Sequence, residues 1–100
     1  MSESPAVARG SETDVITVRY WASARSAAGV EADTLTVDGP ITLADLLGRV
    51  VALHPGTRLG AVLHVCSVLV GDRPMASEEP SEVEVPAGSS VEFLPPFAGG

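Results

Sequence analysis

One amphipathic helix constrains what this chain can fold into. Its apolar residues recur at intervals that place them on one stripe of a helix: Leu43, Leu46, Leu47, Val50 and Val51. Thr42 stands at the N-cap position with Asp45 three residues later, the pattern of a capping box, and Ile41 is placed to pack on Leu46. His54-Pro55-Gly56 ends the helix, because proline lacks an N–H and disfavours helical backbone in the residue before it. One such helix can cover only one face of one sheet.

Segments rich in β-branched and aromatic residues surround the helix and predict strands. They lie at residues 15–21, 33–38, 64–70, 83–85 and 90–94. In the first segment, alternation directs one set of side chains to the core: Ile16, Val18 and Tyr20. Residues 22–29 form a connector of small residues with room for one helical turn. The order β-β-α-β-β-β predicts an α+β fold, in which a mixed sheet has the helix across it and the first and last strands are central neighbours. This is the β-grasp or ubiquitin-like architecture.

Size and composition predict one small domain. The chain has 100 residues, 45% of them hydrophobic, which is enough for a single core. We expect residues 1–13 to be a disordered tail, 14–94 the β-grasp domain and 95–100 a flexible C-terminal tail. A formal net charge of −7 disfavours nucleic acid and membrane surfaces as partners. A lone cysteine, no signal peptide and no long apolar run predict a cytoplasmic protein without disulfides.

The C-terminal end has the features of a delivery arm. The chain ends Leu94-Pro95-Pro96-Phe97-Ala98-Gly99-Gly100, and no charged side chain follows Glu92. Two prolines stop sheet pairing, and the glycines lack the Cβ atoms that would widen the chain and restrict its backbone. Such a tail is suited to enter a narrow channel of another protein and present a carboxylate there. The alternative is an ordinary frayed terminus.

Two segments resemble MoaD-type proteins. Residues 18–25, VRYWASAR, are similar to their opening strand and turn, in which two aromatic residues precede a small residue and an arginine. Residues 91–100, VEFLPPFAGG, resemble their closing motif of an apolar strand, Pro-Pro, two variable residues and Gly-Gly. The resemblance covers about residues 14–100 and leaves the first dozen unexplained. It implies a β-grasp sulfur carrier of the MoaD/ThiS type, the small subunit of molybdopterin synthase.

The resemblance assigns the reacting group to the carboxylate of Gly100. A MoeB-like activating enzyme would use ATP and Mg²⁺ to form an acyl-adenylate, and a persulfide would replace AMP and leave a thiocarboxylate. The sulfur would pass to a pterin precursor inside a MoaE-like large subunit. The chain would bind no cofactor or metal itself and would be a sulfur-donor subunit rather than a stand-alone enzyme. Gly99 would provide clearance for the arm.

The resemblance also implies an apolar docking patch at the foot of the tail. The partner-binding residues that match are Trp21, Leu94, Pro74 or Met75, and then Pro95, Pro96 and Phe97 of the tail itself. The two prolines would aim the arm away from the sheet. Trp21 and Leu94 lie outside the alternation assigned to the core, and an exposed tryptophan suits an interface. The alternative for Trp21 is a structural role over a sheet edge.

Three other functions stay open on sequence grounds. The chain could carry sulfur for thiamine or cysteine synthesis, or it could be a ubiquitin-like modifier joined through Gly100 to lysines of other proteins. It contains no lysine, so it cannot form lysine-linked chains. A plain β-grasp binding module is the third possibility. Among the other polar residues, we expect Cys66 to be a buried inert thiol and His54 to contact the last carbonyls of the helix. The acidic residues at 78, 79, 82 and 84 are expected to be solvated, with a steering effect toward basic partners.

Overall fold

The computed structural model describes residues 15–75 and 78–96. Five strands form one mixed sheet. They are β1 Val15–Tyr20, β2 Ala32–Thr36, β4 Ser67–Val70, β5 Arg73–Pro74 and β7 Ser90–Leu94. A small second sheet pairs β3 Ile41–Thr42 with β6 Glu84–Val85. The helices are α1 Ala22–Ala28, α2 Leu43–Leu53, α3 Leu59–His64 and a 3₁₀ turn at Pro80–Glu82. The predicted tail at residues 1–13 lies outside the described residues.

The first and last strands are neighbours at the centre of the sheet, as the element order predicts. The strand order is β2-β1-β7-β4-β5, and β1 runs parallel to β7 with Val18 opposite Val91. The other neighbouring pairs in this sheet are antiparallel. This is the β-grasp arrangement, so the predicted fold class is confirmed.

The core lies between one face of the sheet and the helices. Ile16, Val18 and Tyr20 are buried, which confirms the predicted core face of β1. On α2 the stripe is buried at its centre, through Leu43, Leu46 and Val50, whereas Val51 is exposed at the margin. The predicted cap is also present, because the hydroxyl of Thr42 accepts a hydrogen bond from the backbone N–H of Asp45 at 3.0 Å. None of the helices in the described part of the chain is long and apolar enough to cross a membrane.

The strand predicted over residues 64–70 is wrong in its first part. α3 occupies Leu59–His64, and β4 begins only at Ser67. Leu59 and Leu63 lie one helical turn apart and are both buried. A six-residue helix is too short to show an apolar stripe that differs clearly from the pattern of a short apolar strand. The connector at 22–29 is likewise more regular than expected, because α1 spans Ala22–Ala28 and ends at Gly29 with φ of 81°.

A partly buried polar cluster ties the end of α2 to the sheet. The hydroxyl of Tyr20 donates to Asp33 Oδ2 at 2.8 Å, and His54 Nε2 lies 2.6 Å from the same oxygen. The His54 ring therefore contacts Asp33 rather than the last carbonyls of α2, and only its backbone N–H reaches Val51 O, at 3.1 Å. Burial raises the pKa of Tyr20 far above its usual value, and the hydrogen bond to Asp33 and its negative charge raise it further. The hydroxyl thus stays protonated and acts as a donor.

Candidate functional site

The predicted arm leaves the sheet at the end of its central strand. β7 ends at Leu94, which pairs with Ser67 of β4. Pro95 is half-buried and Pro96 exposed, and neither has an N–H to extend the ladder. The chain therefore departs from the sheet at the predicted position. Phe97, Gly99 and Gly100 lie outside the described residues, so their roles stay predictions.

Side chains on the face of the sheet opposite the helices form a continuous surface beside this exit. We call it the open face, and its members are Arg19, Trp21, Leu69, Pro74, Glu92 and Leu94. The register lines up several of them in one row, because Arg19 is opposite Glu92, Glu92 is opposite Leu69, and Leu69 is opposite Pro74. Tyr20 is opposite Phe93, so the next residues of the two central strands, Trp21 and Leu94, come side by side. The structure thus brings together residues that the sequence separates by more than seventy positions.

Trp21 is the most prominent apolar side chain of the open face. It is 44% exposed, although its backbone is pinned to the sheet by a hydrogen bond from its N–H to Phe93 O at 3.2 Å. Its carbonyl accepts from the N–H of Ala24 at 3.0 Å and so begins α1. Ala22, which follows Trp21 directly, has φ of 51°, in the left-handed region that L-residues rarely adopt. A sharp change of direction after β1 therefore leaves Trp21 at the surface.

Polar neighbours hold the indole of Trp21. Its Nε1–H donates to Glu92 Oε1 at 3.0 Å. The guanidinium carbon of Arg19 lies 5.9 Å from the ring centroid, within range of a cation–π contact. The partner-binding residues predicted from the sequence include Trp21 but neither of these neighbours. Alternation within β1 and β7 predicts that both face outward, but the contact itself depends on the parallel pairing of the two strands.

Pro74 and Met75 lie on opposite sides of β5. Pro74 is exposed and opposite Leu69, so it belongs to the open face. Met75 donates its backbone N–H to Val68 O at 2.9 Å, and its side chain packs against the core. Of the two docking candidates, only Pro74 therefore lies on the same face of the sheet as Trp21 and Leu94.

A groove lies on the other side of the exit from the open face. It has a volume of about 590 Å³ and lies between α1, α3 and the two prolines. Its walls include Ala27, Arg58, Val62, Val65 and Pro96. The groove depends on α3, which the sequence pattern did not reveal, and so no sequence signal pointed to it.

The remaining candidates have no arrangement that suggests chemistry. Cys66 is half-buried and its thiol donates to Val62 O at 3.3 Å. Burial raises its pKa, so the thiolate form needed for nucleophilic attack is disfavoured. Glu78, Glu79, Glu82 and Glu84 are all exposed, in keeping with a solvated edge. Within residues 15–75 and 78–96, histidine, cysteine and carboxylate side chains form no cluster of three or more that could hold a metal ion.

Comparison with known sequences places these features in a family context. The sequence profile of the ThiS family matches residues 18–100. A curated relative, the molybdopterin synthase sulfur carrier subunit of Chlamydomonas reinhardtii, is 28% identical over 85 residues, which cover 85% of this chain and 98% of that protein.

Solved structures confirm the fold. Small archaeal modifier protein 1 of Haloferax volcanii superposes with a TM-score of 0.64 at 22% identity, over 83% of this chain and 98% of that one. A second match is to a chain in a complex of subunits 1 and 2 of the molybdopterin-converting factor from Helicobacter pylori. It superposes with a TM-score of 0.57 at 20% identity, over 86% of this chain and 99% of that one.

Proposed function

The chain belongs to the ThiS family, and we propose on that premise that it is a sulfur carrier whose C-terminal glycine is converted to a thiocarboxylate, as the small subunit of a molybdopterin synthase. The extent of the family match is the observation that supports this most, because residues 18–100 include Gly99 and Gly100 as well as the β-grasp domain. The name of the Chlamydomonas relative supports the molybdopterin pathway in particular. The two-subunit complex from Helicobacter supports a large subunit as partner.

The proposed chemistry takes place on the carboxylate of Gly100. In an activating enzyme of the MoeB type, one carboxylate oxygen attacks the α-phosphate of ATP, releases pyrophosphate and forms an acyl-adenylate. The terminal sulfur of a persulfide then attacks the acyl carbon and displaces AMP. A thiol cleaves the resulting acyl disulfide, which leaves the thiocarboxylate on this chain and a disulfide on the partner. ATP and Mg²⁺ are bound by the activating enzyme.

The described residues provide the docking surface and the origin of the arm. Trp21, Leu94 and Pro74 share the open face and offer apolar contact area next to the exit of the tail. Pro95 and Pro96 restrict the backbone where the arm begins, so docking on the open face also fixes where the arm starts. The partners supply the electrostatic stabilisation of the reaction, while this chain supplies the reacting group.

Mass spectrometry of the intact protein tests the chemistry directly. The chain is incubated with the activating enzyme of its own organism, Mg-ATP and a persulfide donor, and we expect one oxygen at the C-terminus to be replaced by sulfur. Gly99→Val should abolish this exchange, because a branched side chain blocks a narrow channel. Its melting temperature should equal that of the wild type, since residue 99 follows the last strand, which ends at Leu94. Unaltered mass of the wild type, or full exchange in Gly99→Val, would contradict the proposal.

Complementation identifies the pathway. Bacteria that lack their own molybdopterin synthase small subunit should regain molybdoenzyme activity when they express this chain together with its large subunit. Bacteria that lack the thiamine sulfur carrier should continue to require thiamine. The reverse result would assign the chain to thiamine synthesis.

A second function, as a protein modifier, is favoured by one observation. The fold resembles that of small archaeal modifier protein 1. In cells that express a tagged chain, a modifier gives covalent adducts that persist in denaturant and contain a branched peptide linking Gly100 to a lysine of the target. A sulfur carrier gives the thiocarboxylate without such adducts.

A further inference from the structure

On the open face, the indole of Trp21 contacts two neighbouring side chains, Arg19 and Glu92, and the family resemblance does not explain these contacts. Arg19 and Glu92 are opposite each other on the parallel strands β1 and β7, and Trp21 lies just beyond them. The indole Nε1–H donates to Glu92 Oε1 at 3.0 Å, and the guanidinium of Arg19 lies over the ring at 5.9 Å. The indole is thus restrained at its polar edge and on one of its two faces.

The contacts of this cluster contribute little to folding. Trp21 remains 44% exposed, Arg19 is exposed, and the hydrogen bond between the indole and Glu92 lies at the surface. Exposed polar pairs typically add less than about 1 kcal/mol to stability. Their main effect is on Trp21 itself, because two contacts from different strands select one rotamer of a side chain that would otherwise sample several.

An indole held in this way has a defined surface to offer. Its one N–H is engaged by Glu92, and Arg19 occupies one ring face. Trp21 is still 44% exposed, so part of the ring is left for a protein that docks on the open face. Since the only N–H of the ring is bonded to Glu92, this exposed part complements an apolar or aromatic partner surface.

We propose that Glu92 is a positioning residue that fixes Trp21 for docking, and that the partner packs an apolar surface against the exposed part of the indole ring. The inference rests on the proposed function, because it concerns how the carrier meets its large subunit. Ordering a side chain during binding costs about 0.5–1.5 kcal/mol, so fixing Trp21 in advance strengthens the complex. Glu92 acts through Trp21 and does not touch the reacting carboxylate.

The single tryptophan of the chain makes the positioning measurable without a partner. In the wild type, the indole N–H should give one NMR signal with slow solvent exchange, and Trp21 fluorescence should show little fast depolarisation. Glu92→Ala should speed up both the exchange and the depolarisation. Glu92→Gln should restore wild-type values, because its amide oxygen can accept the same hydrogen bond. Ser90→Ala, two residues away on the same face of β7, is the matched control and should change neither.

Binding to the purified large subunit of the same organism tests the consequence. Glu92→Ala should weaken the affinity by about three- to tenfold while the melting temperature falls by no more than about 5 °C, and Glu92→Gln should restore the affinity. Equal indole dynamics in all variants, or loss of affinity in Glu92→Gln as large as in Glu92→Ala, would refute the positioning role. If the wild type does not bind the large subunit at all, the proposed function fails, whereas the indole measurements still decide whether Glu92 orders Trp21.

Discussion

Replacement of Asp33 should lower the free energy of unfolding more than replacement of Thr34 or Glu92. Asp33 Oδ2 accepts from the Tyr20 hydroxyl at 2.8 Å and lies 2.6 Å from His54 Nε2. The side chains of Asp33 and His54 are only 19% and 13% exposed. A hydrogen bond to a charged group contributes about 1.5–3 kcal/mol, and a buried donor left without an acceptor adds a penalty. Since both bonds use one oxygen, we expect a loss of about 3 kcal/mol for Asp33→Ala and about half of that for Asp33→Asn.

Urea unfolding at neutral pH, followed by circular dichroism, measures this loss. In a domain of this size, about 3 kcal/mol corresponds to a decrease in melting temperature of roughly 12–24 °C. Thr34→Ala, at an exposed neighbouring position of β2, is the control for the effect of alanine on the strand. A double-mutant cycle with Tyr20→Phe should give a coupling free energy of about 1 kcal/mol or more. A loss below about 0.5 kcal/mol in Asp33→Ala, or an equal loss in Thr34→Ala, would refute the account of the cluster.

Three further predictions concern the residues at the end of β1. The unfolded chain releases the proton of Tyr20 near the usual pKa of 10.0, whereas the folded hydroxyl retains it, so the free energy of unfolding should fall as pH rises above about 10. Phenolate absorbance of the chain's single tyrosine should appear together with unfolding. Tyr20→Phe should remove this pH dependence. Ala22→Gly should stabilise the fold by about 0.5–1 kcal/mol in urea unfolding, because Ala22 has φ of 51°, while Ala27→Gly inside α1 should destabilise it. Trp21→Ala should weaken binding of the large subunit at least about tenfold in calorimetry and should lower the free energy of unfolding by less than about 1 kcal/mol. A free energy of unfolding that falls by more than the free energy of binding would favour a structural role for Trp21.

Local patterns predicted those parts of the fold that depend on neighbours in sequence. The stripe of α2 and the cap formed by Thr42 and Asp45 are present as expected, because helix periodicity and capping involve residues a few positions apart. The core face of β1 follows from alternation alone. α3 could not be predicted, because six residues are too few to tell the helical period of 3.6 residues from the strand period of two. β3 and β5 have two residues each, which is below what any pattern can reveal.

Two features of the candidate site could be predicted from the sequence, but the contacts between its residues could not. The exposure of Trp21 follows from its place in the alternation, and the end of the sheet follows from Pro95 and Pro96. By contrast, the contact of Trp21 with Glu92 joins residues 71 positions apart and depends on the register of two parallel strands. The choice between Pro74 and Met75 likewise depends on how β5 pairs with β4. Contacts of this kind can be identified only in the tertiary structure.

The parallel central pair also determines which end of the chain can be fused to another protein. Because β1 and β7 run in the same direction, β1 begins with Val15 at one end of the strands, and the chain leaves β7 toward Pro95 at the other end. A strand of six residues spans about 20 Å, so a reporter or affinity tag joined before Val15 is attached at a distance from the open face. A tag joined after Gly100 would convert the carboxylate that is proposed to react into an amide. Reagents for pull-down or surface immobilisation should therefore be built on the N-terminal side alone.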